Sequence, residues 1–367
     1  MDEPKENESM YPKNFWYVGA MKHEVGRHLL ARTLLEQPIV FFRRIDGSVA
    51  ALADRCSHRR ISLSLGRLIG DEVQCGYHGL SFAGDGSCTG IPGQARVPPS
   101  ACVRSYPVVE RDEFVWFWPG DPTLADEALV PDYSEICSSG RFVGRPAEPL
   151  LVEAPCLFNI ENVLDLSHVT YAHQETVGTP EVAVTRPTVD ISETRVLVTR
   201  NWDRASTGPS FKNLFGWDFV KNSQRISFWP GANVLLEIEV EPVGNTDPAQ
   251  IKRLRVPGPC TPSTSTTHFK FSALYRDFLL DNEALTAGMF EQFRKTVMED
   301  KVLMENQQRN WALDGVEVVQ KMEPSSSGGM MDIAVDHAPL AARRWLQRLT
   351  MAERKAPEIR LAEVTQG

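Results

Sequence analysis

Two short stretches carry the residues best suited to metal chemistry, Cys56-Ser-His58 and Cys75-Gly-Tyr-His78. Sixteen residues separate them. Each follows a strand-like segment (SVAALADR, then GDEVQ) and runs into a turn, so the pattern predicts two facing loops, each offering one thiolate and one imidazole. Such a set can close on one tetrahedral zinc ion. It can also hold a [2Fe–2S] cluster with two cysteines on one iron and two histidines on the other. Zinc modules commonly pair like with like and place the histidines on a helix. Here each loop mixes the two ligand types and so reaches both irons, which favours the cluster. The Gly, Ser and Tyr residues beside the ligands are suited to donate hydrogen bonds to its sulfurs.

A second constellation lies in NIENVLDLSHVTYAH, which brings Asn162, Asp165, His168 and His173 together. Asp165 and His168 are three apart and are expected to share a helix face. His168 and His173 are five apart, about 140° around a straight helix. They converge on one metal only if the helix ends or bulges between them, a π-type turn being the common device. Alone, the stretch also reads as two ordinary histidines and a capping aspartate, with Asn162 a solvent-facing amide. Beside an iron–sulfur cluster it reads as two thirds of a two-histidine, one-carboxylate iron site with open positions for O₂ and substrate. The missing carboxylate is sought in Glu299 or Asp300, on a long helix. Neighbours there point about 100° apart, so one of the two is expected to face the iron.

The elements that must position these groups fall into two halves. The first 120 residues read as short strands (NFWYVGA, QPIVFFRR, SVAALAD, DEFVWFWPG) with turn residues between them. PGDPTLADEALVPDY, at 119–133, reads as a connection. Longer strands follow (RPAEPLLVEAPC, TRPTVDISETRVLVTRNW, NVLLEIEVEPV, THFKFSALY). A helix is expected from about Asp281 to about Trp311, with Leu285, Met289, Phe290, Phe293, Val297, Val302, Leu303 and Met304 on its apolar face. PLAARRWLQRLTMAER reads as a closing amphipathic helix. Strands followed by segregated helices predict an α+β fold. A length of 367 residues implies two domains. The composition, 42% hydrophobic and 24% charged, is that of a globular chain. A net charge of −9 argues against nucleic acid or anionic lipid as partner. No apolar run is long enough to cross a membrane, and the acidic start is unlike a signal peptide. A cytoplasmic protein without disulfides is therefore expected of the seven cysteines. His23, His28, His268 and His337 read as structural or exposed, and Phe114–Trp118 as a strand alternating toward a core.

CSHRRISLSLGRL and VQCGYHGLSF resemble the Rieske domain of the Rieske non-haem iron oxygenases, especially the branch containing vanillate O-demethylase and dicamba monooxygenase. Arg59-Arg60, Leu63-Ser-Leu-Gly66 and Tyr77-His78-Gly79 all fit that branch. The loop cysteines that form a disulfide in bc-complex Rieske proteins have no counterpart here. The resemblance runs from Tyr11 to about Glu353 and includes HAPLAARRWLQRL at 337–348. It implies an all-β Rieske [2Fe–2S] domain at 11–125. A helix-grip catalytic domain would follow at 126–355, an antiparallel sheet around a long C-terminal helix, with disordered tails at 1–10 and 356–367. It assigns Cys56, His58, Cys75 and His78 to the cluster. MEDKVLMENQQ resembles the family motif whose aspartate falls on Asp300, giving His168, His173 and Asp300 as iron ligands with Glu299 and Glu305 in reserve. Asn162 would stand near the iron. Asp165 would accept hydrogen bonds from His168 and from His78 of a neighbouring chain, which implies a ring-shaped homotrimer.

The implied activity is that of a terminal oxygenase of a multicomponent Rieske monooxygenase. It would use O₂ to remove an O- or N-alkyl group, in the first place methyl, from a small aromatic compound. With no GxGxxG loop or FMN motif in the chain, the electrons must come from a separate ferredoxin and/or flavin reductase. Hydroxylation of a ring or side chain is the alternative within the family. A Rieske electron carrier or redox sensor with a ligand-binding second domain is the alternative of another class. The substrate pocket is expected among the strands around 200–275 and the long helix, with mostly apolar walls. Arg204, Lys212 and Arg276 are not distinguishable from surface charges in the sequence.

Overall fold

The computed structural model describes residues 11–313 and 333–364, without the side chains beyond Lys355. The tail expected at 1–10 lies outside them, as do the last three residues and all the side chains of the one expected at 356–367. The chain forms two compact units. One is Lys13–Asp132 with Thr261–Ser265; the other holds Tyr133–Cys260, the described residues from Thr266 onward, and residues 11–12.

The first unit is built from small antiparallel sheets, because its apolar runs are short and turn residues interrupt them every few positions. One sheet orders Leu30–Leu34, Gln37–Arg43, Val49–Ala53 and Ser105–Tyr106. Another places Phe114–Phe117 between Tyr17–Met21 and Val108–Arg111. A third runs Arg67–Ile69, Glu72–Gln74, Ser81–Phe82, Cys88–Gly90. The aromatic strand differs from the expected alternation. Phe114, Val115, Trp116, Phe117 and Trp118 are all buried, so both faces of the strand are covered. The Phe117 ring alone meets Tyr17, Phe41 and Tyr106, with centroids 6.0–6.4 Å apart.

The second unit centres on a seven-stranded antiparallel sheet ordered Val143–Pro146, Ala273–Arg276, Lys252–Pro257, Asn233–Pro242, Phe219–Trp229, Val196–Ser206, Thr188–Ile191. Two of these strands, Phe219–Trp229 and Lys252–Pro257, were not anticipated. In the first, Asn222 and Gln224 take inward positions and spoil the apolar alternation; in the second, Arg253 and Arg255 pair with Glu239 and Glu237 on the neighbouring strand. The long helix runs Glu283–Leu313, close to its expected ends. Its inner face is only partly the expected one. Thr286, Asp300 and Met304 are its buried residues, whereas Val302 and Leu303 are 59% and 48% exposed. Beyond Val297 the inward positions go to Asp300 and Met304, while Met298, Val302 and Leu303 face outward. The closing helix, His337–Val364, meets the helix Cys156–Leu164 through an Arg343–Glu161 ion pair and packs Trp345 on Phe228. Among the described residues, no helix is long and apolar enough to cross a membrane.

Candidate metal centres

In the first unit the two Cys-His loops are copies of one device. Val49–Ala53 leads into Cys56 and Glu72–Gln74 into Cys75. Cys56 N–H donates to Ile61 O at 2.9 Å, and Cys75 N–H to Leu80 O at 2.8 Å. Arg60 N–H donates back to Cys56 O at 2.9 Å, and Gly79 N–H to Cys75 O at 3.1 Å. The closing residue is left-handed in both loops, with φ +61° at Arg60 and +75° at Gly79. The loops also approach each other too closely for side chains. A Cβ on Gly66 would lie 2.0 Å from Gln74 O.

Within this frame the thiols face inward and the imidazoles outward. Cys56 and Cys75 are buried among Val40, Phe42, Leu52, Leu63, Val73 and Phe82. Burial pushes the Cys56 thiol up, and the neighbouring Cys75 adds to the shift. His58 and His78 are exposed, their ring centroids 4.7 Å apart, and Tyr77 leans on His78 at 3.9 Å. Tetrahedral zinc would need the four donors to close on one point. Among the described residues, the one group of three or more such donors mutually within 4.8 Å is elsewhere. Thiols paired at the inner end and imidazoles at the outer end suit an asymmetric [2Fe–2S] cluster.

That other group is His168, His173 and Asp300, in the second unit. The helix Cys156–Leu164 carries Asn162 and stops at Asp165, whose backbone is extended (φ −113°, ψ +99°). A 3-10 turn, Leu166–His168, and one α-helical turn, Val169–Ala172, follow; His173 then closes the segment. The helix thus ends before both histidines, and a change from a 3-10 turn to an α-helical turn between them, in place of the expected π-type turn, brings their ring centroids to 5.4 Å apart. Asp165 and His168 consequently do not share a helix face. Asp165 caps the 3-10 turn, its carboxylate accepting from Ser167 N–H at 2.9 Å and Ser167 Oγ at 2.8 Å.

His168 makes its bond to Asp165 through the backbone, Nδ1 to Asp165 O at 2.7 Å, so the expected carboxylate contact is replaced by a carbonyl one. This assigns the Nδ1 proton and turns Nε2 toward Asp300 Oδ1, 3.4 Å away. His173 Nε2 lies 3.1 Å from the same oxygen. Burial alone would raise the Asp300 carboxyl; hydrogen bonds from His168 and His173 instead hold it well below the usual carboxylate range. Burial likewise opposes protonation of His173, and Asp300 and Glu299 together raise it. Asn162 Nδ2 donates to Asp300 Oδ1 at 3.0 Å and lies 3.4 Å from His168 Nε2. Two imidazoles and one ionised carboxylate whose donor atoms converge within 4.8 Å of one another fit a mononuclear non-haem iron.

The reserve carboxylates sit elsewhere. Glu299 Oε2 takes the other nitrogen of His173, Nδ1, at 2.7 Å, so both helix neighbours engage one imidazole from opposite sides. Glu305 accepts from Glu153 N–H at 3.0 Å and pairs with Lys301. Sequence reasoning missed the role of Glu299 and also Arg200, which is buried and donates to Asp165 Oδ1 at 3.2 Å. A signal for Arg200 was present: it stands in phase with Val196 and Val198, both inward-facing, on the strand Val196–Ser206.

A cavity of about 240 Å³ opens onto the triad. Leu236, Ile238, Leu254 and Val256 from the sheet and Phe293 and Val297 from the long helix give it the apolar walls that were expected. The three cations left open by the sequence are outside the lining. Arg276 donates to Asn282 O and Thr286 Oγ1 at the start of the long helix, Arg204 stacks 3.5 Å over Phe219, and Lys212 pairs with Asp218.

A loop pair suited to a Rieske cluster and a two-histidine, one-carboxylate site under an apolar cavity define the class: a Rieske non-haem iron oxygenase. Comparison with known proteins agrees. Residues 15–107 match the Rieske [2Fe-2S] domain, and residues 152–352 match the vanillate O-demethylase oxygenase C-terminal domain. The chain belongs to this family of oxygenase components. It is 32% identical to the iron-sulfur subunit of the toluene-4-sulfonate monooxygenase system of Comamonas testosteroni, over 94% of this chain and 98% of that one. The oxygenase component of chloroacetanilide N-alkylformylase of Rhizorhabdus wittichii is 31% identical over 94% and 97%. The crystal structure of dicamba monooxygenase bound to dicamba superimposes with a TM-score of 0.80 at 30% identity, covering 93% of this chain and 98% of that one. The chain is therefore a monooxygenase with a [2Fe–2S] cluster and a mononuclear non-haem iron as cofactors, and a component of a multicomponent system. The electron-carrier alternative gives way to this assignment.

Proposed function

We propose that this chain oxidatively removes an O- or N-alkyl group, in the first place methyl, from a small aromatic compound. The reading rests on one observation above all: the donor atoms of His168, His173 and Asp300 converge at an apolar cavity large enough for a single aromatic ring. When bound, the cluster supplies single electrons and the mononuclear iron activates O₂. The remaining steps belong to the protein. Cys56, His58, Cys75 and His78 hold the cluster in a domain at 11–125; His168, His173 and Asp300 hold the iron in a domain at 126–355. The Asp165 carbonyl fixes the His168 tautomer, and Glu299 does the same for His173. Asn162 holds Asp300 in place. The cavity walls keep water from the reacting carbon and set its position.

The balance is Ar–X–CH₃ + O₂ + 2e⁻ + 2H⁺ → Ar–XH + HCHO + H₂O, where X is oxygen or nitrogen. Hydroxylation of the methyl gives a hemiacetal or hemiaminal, which collapses to formaldehyde. The electrons come from a ferredoxin and/or flavin reductase, in the cytoplasm. The exposed His78 is suited to approach Asp165 of a neighbouring chain in a homotrimer, which sedimentation equilibrium tests. The likeness to a toluene-4-sulfonate monooxygenase favours a second reading, hydroxylation of a methyl borne by carbon.

The deciding experiment measures formaldehyde and O₂ uptake with a surrogate reductase across O-methyl, N-methyl and C-methyl aromatics. Formaldehyde released one-to-one with O₂ supports dealkylation. A benzylic alcohol without formaldehyde supports the second reading.

A further inference from the structure

Lys270 ends the strand Thr267–Lys270 and lines the cavity, yet it is only 6% exposed. Its ammonium donates to Asn159 Oδ1 at 2.7 Å. Among the described residues, no carboxylate lies within the 4.0 Å of an ion pair with it. Asn159 is completely buried, and its Nδ2 has no partner. The amide cannot be turned over to satisfy that nitrogen, because doing so would set donor against donor at the ammonium. The result is a buried cluster of N–H donors whose one hydrogen-bond acceptor is the Asn159 carbonyl, with the Asp300 carboxylate acting on the charge only from beyond ion-pair distance. An ammonium in such surroundings is costly unless an anion joins it. Asn159 itself stands behind Lys270, outside the lining, and the unpartnered polar atoms of the lining, on Thr179, Thr207, Asn222 and Gln224, belong to neutral groups.

We propose that Lys270, backed by Asn159, anchors a carboxylate or sulfonate on the substrate while the apolar walls take its aromatic ring. This rests on the cavity being the substrate site and deepens that reading by naming an anionic aromatic. Family membership leaves the point open, since the similar proteins include one named for a sulfonate and one named for an anilide. The ammonium decides between them. A compact, unpaired charge in a low-dielectric wall favours a matched anion and offers a neutral amide much less.

The test uses the metal-loaded enzyme and ligands that have no alkyl group to lose. Benzoate and benzenesulfonate are titrated against benzamide and benzenesulfonamide, with wild type, Lys270→Met and Lys270→Arg followed by calorimetry. The anions should bind wild type at least about tenfold more tightly than their amides, the scale of a hydrogen bond to a charged group. Lys270→Met should erase that preference, and Lys270→Arg should keep most of it. Iron content is measured in each. A wild type without anion preference overturns the proposal, whatever the variants do. So does a Lys270→Met protein that keeps the preference, or one that loses iron and affinity for acids and amides alike. Because none of these ligands can release formaldehyde, the result is independent of the dealkylation reading. Anion preference without formaldehyde from any alkyl ether would sink that reading and leave Lys270 in place.

Discussion

The two candidate metal centres are built on opposite plans. The Cys-His loops take all four candidate ligands from 23 consecutive residues, hold them by local backbone hydrogen bonds, and present two imidazoles to solvent. The triad joins residues 127 positions apart in sequence, buries His173 and Asp300, and orients each imidazole by a contact on its far nitrogen. A site whose shape is local is carried by its loops. A site whose shape is tertiary depends on the helix and turn that meet there, and its candidate ligands rely on neighbours outside the group of three. The two should therefore fail in different ways.

The sharpest separation should come from removing a donor on each side. Asp300→Ala takes away the oxygen that both histidines share, so the mononuclear iron should be lost and turnover should fall below detection. The visible absorption and EPR of the cluster should persist. Cys56→Ser should remove the cluster and leave iron retained at the triad. Metal and sulfide analysis of both variants checks this. Loss of the cluster in Asp300→Ala would mean that the two sites do not stand independently.

Acid should discriminate next, because the second unit contains a fully buried histidine. His268 Nδ1–H donates to Ala154 O, 2.7 Å away, and burial lowers its pKa to about 4 from an ordinary 6.5. The unfolded chain then binds a proton that the folded chain refuses, so stability is fully present above about pH 6.5 and falls as pH drops toward 4. The loss amounts to about 3 kcal/mol at the acid end. Denaturant unfolding of the metal-free protein between pH 7 and 4 measures it, with His268→Gln as the comparison. An unchanged pH slope in the variant would remove His268 as the cause.

Glu299 tests the far-nitrogen contacts. Glu299→Gln keeps the shape but weakens the bond that orients His173, and iron affinity should fall by roughly 10- to 100-fold while cluster content stays constant. Equilibrium competition with a chelator reads the change. An unaltered affinity would show that helix packing alone aims the imidazole.

The same contrast explains what could be seen before the structure. The cluster loops were legible because ligand type and spacing sit in one stretch of chain. The triad was half legible. His168 and His173 suggested a metal, but the segment that carries them depends on Asp165 leaving the helix ahead of them to accept from Ser167, a choice between two local hydrogen-bonding patterns that spacing does not reveal. Glu299 and Asp300 were weighed as rivals for one position, whereas the helix sets them on either side of a single ring. Asn222 and Gln224 hid a central strand by being polar where a wall residue was expected, and Lys270 looked like any other cation until its burial was known. Apart from the local cap at Asp165, the deciding term in each case was a tertiary contact.

The smallest expected effect concerns the likeness of the two loops. Gly79 and Arg60 occupy equivalent closing positions, both left-handed, but only glycine does so without a Cβ penalty. Arg60 has an exposed side chain, and its backbone N–H bonds to Cys56 O as Gly79 does to Cys75 O. Arg60→Gly should therefore keep the hydrogen bond and relieve the strain, raising the stability of the first unit by about 1 kcal/mol. The shift would appear in the denaturant midpoint of cluster loss. A variant that gains no stability would make the loops alike in shape but not in strain.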